Sequence, residues 1–189
     1  MPRLPAVVLL AALLTAGCAD QPAPPPPAAS PPSSAAADDG AVSGVDVLFL
    51  TMMVAHTEQT LEIARLGRGR VADGELRMLV AAIEVTETDE LATMRGWLRD
   101  AGPAATAHRH DHAGHADAGD LARLRTAAAG EVDEVLLDVL TAHQKAGADL
   151  ARAHLDAGTS QRVRELARRI ERSRTAQVEL MAGLPAARR

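Results

Sequence analysis

The 189-residue chain has no tyrosine, a single phenylalanine (Phe49), a single tryptophan (Trp97) and a single cysteine (Cys18). A β-sandwich or β-barrel packs β-branched and aromatic side chains on pleated faces, so the shortage of aromatics argues against both. The lone cysteine excludes an internal disulfide framework. Positive charge is not in excess either. With 20 basic and 25 acidic residues the net charge is −5, which leaves no electrostatic footprint for nucleic acid. What the chain does have is alanine, leucine, arginine and glutamate, residues that lose little on entering a helix. Its length fits one domain of ~100–150 residues plus a tail.

The tail comes first. Arg3 precedes an apolar run from Ala6 to Leu14, followed by Thr15, Ala16, Gly17 and Cys18. The run is too short to span a bilayer and reads as a secretory leader covering residues 1–17. Small residues directly before a cysteine resemble the lipobox of bacterial lipoproteins, with Thr15 standing where leucine is usual. That resemblance implies cleavage before Cys18, diacylglycerol on its thiol, and a protein anchored to the outer face of the cell membrane or envelope. The plainer alternative is an ordinary leader with a chance cysteine. Residues 18–43 carry Pro22, Pro24, Pro25, Pro26, Pro27, Pro31 and Pro32 among alanine and serine. Such a stretch cannot bury enough surface to offset its ordering entropy, and it reads as a disordered tether.

The remaining residues, 44–184, are a repeat. An offset of 87 residues aligns the chain with itself without gaps. Val45-Asp46 falls on Val132-Asp133, Leu50 on Leu137, Ala55-His56 on Ala142-His143, and Ala64 on Ala151. Leu79 falls on Leu166, Ile83-Glu84 on Ile170-Glu171, and Met94 on Met181. Each half is long enough for a helical hairpin. Helices are predicted over about Val45–Gly67, Asp73–Ala101, Asp120–Ala157 and Thr159–Ala182. Gly102-Pro103 stops the second, and Gly158 fits a C-cap before Thr159-Ser160 start the fourth. Two hairpins with facing apolar stripes make a four-helix bundle, and the fold class is all-α.

Helical spacing then locates the polar residues inside it. Phe49, Met52, Met53, His56, Thr60 and Ile63 share one stripe of the first helix. On the second, Glu87 and Glu90 fall on the stripe of Leu76, Leu79, Ile83, Met94 and Trp97. Carboxylates are rarely buried without a partner, so these two call for a cation, a proton or a base. The second hairpin places His143 and His154 on a stripe with Leu136, Val139 and Leu150, and puts Arg174 and Gln177 opposite Glu87 and Glu90 in the repeat. Arg168 falls on the outward face. Two readings follow. Met52, Met53 and His56 could hold Cu(I), which suits thioethers and imidazole, with Glu87 and Glu90 adding donors or orienting His56. Alternatively the methionines fill the core, and Arg174 pairs with Glu87 or Glu90.

Phe49-Leu50-Thr51-Met52-Met53-Val54-Ala55-His56, followed by Ile83-x3-Glu87-x2-Glu90-Leu91-x2-Met94-x2-Trp97-Leu98, resembles the bacterial domain-of-unknown-function 305 family. The resemblance covers most of 45–184. It implies a ferritin-like fold, export and an association with copper. The usual pattern has two adjacent histidines after the methionine pair and a Gln-x-x-Glu on the next helix. Here Thr57 replaces the second histidine, Glu87 replaces the glutamine, and Arg174 with Gln177 departs from the pattern in the second half.

Between the hairpins lies His108-Arg109-His110-Asp111-His112-Ala113-Gly114-His115, in a loop at 103–118. Four of the seven histidines fall in these eight residues. Alternating imidazoles on a flexible segment can wrap copper, zinc or nickel, or can serve as a solvated, pH-sensitive linker. Catalytic residues are not expected. No glycine-rich phosphate loop follows a strand, and no serine or cysteine stands in a nucleophile context. Glu87-x-x-Glu90 also lacks the histidine of a di-iron oxidase. The overall expectation is an envelope metal-binding protein, copper first, with a metal-free structural or interaction module as the alternative. The anchor is directly testable. Cys18→Ala is expected to release the protein from the membrane fraction or to leave the leader uncleaved, and unchanged retention contradicts the lipid on Cys18.

Overall fold

A computed structural model describes residues 42, 44–102 and 118–188. The leader, Cys18, nearly all of the tether and the histidine segment lie outside the described residues. Five α-helices carry the described chain: α1 Val45–Arg68, α2 Gly74–Asp100, α3 Ala118–Thr126, α4 Val132–Ala157 and α5 Gln161–Gly183. A 3-10 turn, Pro185–Arg188, follows, and no strand occurs among the described residues. None of the described helices is long and apolar enough to cross a membrane.

The boundaries follow from local chemistry. Asp73 caps α2 by accepting from the Leu76 amide at 2.8 Å. Gly102, with φ of +89°, turns the chain out of α2 as a side-chain-bearing residue would not. The helix expected over Asp120–Ala157 is two helices, α3 and α4. Arg70 donates to the carbonyls of Leu124 (2.6 Å) and Ala127 (2.5 Å), which a continuous helix would offer to its own amides. The chain breaks there, and α4 begins at Val132, the repeat partner of Val45. Gly158 does end α4, but with φ −66° and ψ 142° rather than a positive φ. Its reason is space, since a Cβ at Gly158 would collide with the His154 ring.

α1 packs against α2, α4 against α5, and the two hairpins meet along α1 and α4. Phe49 stacks on His154, His56 on His143, and Gly67 abuts Leu136, so α1 and α4 run antiparallel. Two apolar clusters occupy opposite ends. Phe49, Leu50, Met53, Met94, Val163, Leu166 and Ile170 belong to one. The other includes Leu76, Ile83, Leu136, Leu137 and Met181, closed by Leu121 and Leu124 of α3. Advancing by 87 residues carries members of the first cluster into the second, as with Leu50 to Leu137 and Met94 to Met181. A pseudo-twofold axis therefore passes between the clusters, through a polar layer.

The same symmetry appears in two reciprocal carboxylate clamps. Asp46, at the start of α1, accepts from the Thr159 amide (3.1 Å), the Thr159 hydroxyl (2.5 Å) and the Ser160 amide (3.0 Å). Asp133, its repeat partner, accepts from the amides of Ala72 (2.8 Å) and Asp73 (2.9 Å). Each hairpin thus supplies a carboxylate to the interhelical turn of the other. Ser160 is the N-cap of α5 but makes no side-chain capping bond. Asp46 holds the turn just before it, and the first helical residue is Gln161. A buried amide left without an acceptor costs roughly 1–3 kcal/mol. Asp46→Ala is expected to lower stability by about 3 kcal/mol and Asp133→Ala by about 1–2 kcal/mol, read from urea midpoints at unchanged slope. Equal, negligible losses would contradict the clamp.

Candidate functional site

The polar layer is built from four helices at the level of the axis. Its centre is a pair of parallel imidazoles. The His56 and His143 rings lie 3.8 Å apart between centroids and 3° from parallel. His143 Nε2 stands 3.1 Å from the His56 carbonyl oxygen, which can only accept, so that nitrogen carries a proton. The Thr60 hydroxyl donates to the same carbonyl at 3.3 Å. Room for the His56 ring comes from Gly147 on α4, where a Cβ would lie 2.7 Å from His56 Nε2. Lone pairs of imidazole lie in the ring plane, so two rings stacked face to face do not aim them at one point.

Beside the rings lies a buried charge cluster. Arg174 is fully buried, with Nη2 at 2.6 Å from Glu90 Oε2 and 3.3 Å from Glu87 Oε2. Glu87 is also fully buried, and its Oε1 accepts from Gln144 Nε2 at 2.6 Å. Burial pushes the Glu87 carboxyl above its usual range, against the opposing pull of Arg174 and the hydrogen bonds from Gln144 and Thr60. Gln177 is buried nearby and donates to the Ser173 hydroxyl at 3.3 Å.

The residues proposed from sequence as ligands separate into distinct places. His56, His143, Glu87 and Glu90 share the layer. Met53 is sealed inside the apolar cluster of Phe49 and Leu50, while Met52 is half-buried. His154 lies apart, stacked on Phe49 at 4.1 Å with Nε2 at 3.2 Å from Asp46 Oδ1. Arg168, expected outward, is half-buried beside Trp97. His108, His110, His112 and His115 are outside the described residues. Among the described residues, no three histidine, cysteine, aspartate or glutamate side chains gather as a metal ion would require. The cation between Glu87 and Glu90 is a guanidinium, and this layer does not fit a copper ion. Gln144, Gly147 and Asp46 were not singled out from sequence for these roles. Asp46 and Gln144 did occupy signalled positions, one inside a repeat match and one directly after His143.

A sequence model of the domain of unknown function DUF305 matches residues 46–184. The chain belongs to the DUF305 family. No curated protein sequence matches it. Among solved structures, a DUF305 fragment from Deinococcus radiodurans is 20% identical, with a TM-score of 0.69 over 79% of this chain and 99% of that one. A Streptomyces coelicolor DUF305 protein described as secreted is 27% identical, with a TM-score of 0.69 over 76% of this chain and 92% of that one. CopM in its Cu(I)-bound form is 20% identical, with a TM-score of 0.61 over 75% of this chain and 95% of that one. At 20% identity the likeness concerns the fold.

Two outcomes follow for this DUF305 chain. Removing the one cation of a buried cluster costs about 3–5 kcal/mol, whereas changing Glu87 leaves Arg174 paired with the nearer Glu90. Arg174→Leu is expected to cost about 3–5 kcal/mol, and Glu87→Gln to change stability by about 1 kcal/mol or less, in chemical denaturation. A mild Arg174→Leu would refute the cluster's role. The second outcome concerns His154, held below its ordinary value of 6.5 by burial, with Asp46 opposing and Arg164 reinforcing the shift. Below 6.5 the unfolded chain binds this proton more readily than the folded one, so stability falls as pH falls through that range. His154→Leu is expected to remove this part of the pH dependence of the thermal midpoint. An unaltered profile contradicts it.

Proposed function

We propose that this chain is an exported, lipid-anchored copper-binding protein of the cell envelope. In this reading its two hairpins form a ferritin-like four-helix bundle that acts as a scaffold. The His108–His115 segment supplies the ligands, and the protein buffers metal without catalysing a reaction. The observation that carries the reading is the density of imidazole at that point, four in eight residues between the hairpins. Alternating imidazoles favour copper, zinc and nickel over hard cations. Copper is preferred among these because a protein of the same fold, CopM, has been solved with Cu(I) bound. Export is supported by the apolar leader and by the family relative described as secreted.

Arg174 directs the metal away from the polar layer. An arginine cannot be deprotonated in a protein, so copper entering between Glu87 and Glu90 would have to displace a permanent charge. The same observation favours a second reading, a metal-free bundle that acts as a structural or interaction module. Copper titration of residues 40–189 separates the two, comparing the natural segment with His108, His110, His112 and His115 all changed to alanine. The proposal expects binding tighter than that of free histidine, lost in the variant. No such binding of Cu(I) or Cu(II) would favour the metal-free module, and binding that survives the substitutions would move the site to Met52 and His56.

A further inference from the structure

The outer face of α5 carries a feature that neither the polar layer nor the histidine segment explains. Trp97, near the end of α2, borders an open groove of about 410 Å³ lined by Arg162, Glu165, Arg168, Arg169 and Arg172, with Leu166 beneath. The Arg162 guanidinium carbon stands 5.2 Å from the centre of the indole ring. Several arginines elsewhere are matched: Arg68 with Glu84, Arg95 with Glu58, Arg152 with Asp149 and Glu171. The four groove arginines form no ion pair among the described residues. Glu165, the acid on this face, accepts from Gln161 at 3.1 Å. Four positive charges, against the one negative charge of Glu165, therefore converge on one groove of a chain whose net charge is −5.

The internal repeat supplies a control. Residues equivalent to Arg168, Arg169 and Arg172 in the first hairpin are Ala81, Ala82 and Val85, all exposed on α2. That helix forms with alanine and valine at these three positions, so packing does not require the three arginines. Arg168 and Arg172, four residues apart on a helix, repel each other and destabilise it slightly. A bound anion would relieve that repulsion. Guanidinium groups match phosphate oxygens in geometry and charge. An inorganic phosphate would leave the indole unused, whereas an amphiphile with a phosphate head uses it. Tryptophan is also the side chain best suited to the boundary between headgroup and acyl chain.

We propose that this groove seats the phosphate headgroup of an anionic phospholipid, with Trp97 at the polar–apolar boundary. The proposal depends on neither lipid at Cys18 nor copper. Trp97 is the sole tryptophan and there is no tyrosine, so intrinsic fluorescence reports on the groove directly. The test uses residues 40–189, which contain every described helix and lack both the apolar leader and Cys18. Vesicles containing phosphatidylglycerol are expected to shift Trp97 emission to shorter wavelength in a saturable, salt-weakened manner, and pure phosphatidylcholine vesicles are not. The variant Arg168→Ala, Arg169→Ala, Arg172→Val carries the first hairpin's residues. It is expected to keep its helical circular dichroism and to bind about a hundredfold more weakly, since each basic residue near an anionic surface contributes about fivefold. An unmoved emission, an equal response to both lipids, or binding to phosphatidylglycerol that ignores salt would overturn the proposal. The full emission change produced by inorganic phosphate alone would overturn the assignment to lipid.

Discussion

The Arg174 guanidinium, fully withdrawn from water, is the constraint around which the middle of this protein is arranged. A charge that cannot be shed must be answered in place, because its desolvation costs several kcal/mol. Glu90 answers it at 2.6 Å and Glu87 at 3.3 Å, and both lie on the helix of the other hairpin. The bridge therefore fixes α5 against α2, two helices that otherwise share few contacts. Gln144 secures the remaining oxygen of Glu87 and ties α4 into the same network. Three elements are registered by one buried charge.

Around that layer the repeat works by exchange. Asp46 reaches the turn of the second hairpin and Asp133 the turn of the first, so neither hairpin closes its own end without the other. Where the halves differ, the differences are complementary across the seam. Phe49 faces His154 at one end, and their repeat partners Leu136 and Gly67 face each other at the other. His56 requires the missing side chain of Gly147, while the equivalent of Gly147 in the first half is Thr60, whose hydroxyl serves the backbone carbonyl of His56. The repeat preserves the frame, and the axis residues have diverged. The divergence on the outside is larger, since Ala81, Ala82 and Val85 on α2 correspond to three arginines of the groove on α5.

Much of this architecture was legible in the sequence because helical periodicity and a gapless repeat are both local signals. The four long helices, their apolar stripes and the presence of Glu87, Glu90, His56 and Arg174 inside follow from spacing alone. The family followed from a motif concentrated in the first hairpin. Contacts that depend on crossing between hairpins were not legible. Nothing near Leu124 or Ala127 in the chain announces that Arg70 will take their carbonyls and divide a helix. Asp46 looks like a first-turn acid until the turn at Thr159 is brought beside it. The stacking of His56 on His143 requires the antiparallel crossing of α1 and α4, which a stripe does not specify. Arg168 has an outward helical angle, yet it is half-buried in the groove that Trp97 borders.

A fixed guanidinium holds the polar layer, and the proposed function assigns copper to the histidine segment instead. Histidine ring-nitrogen resonances recorded during titration with Cu(I), which is diamagnetic, test this most directly. The account predicts that His108, His110, His112 and His115 shift while His56, His143 and His154 keep their positions. Early shifts of His56 or His143, with the four segment histidines unmoved, would contradict it.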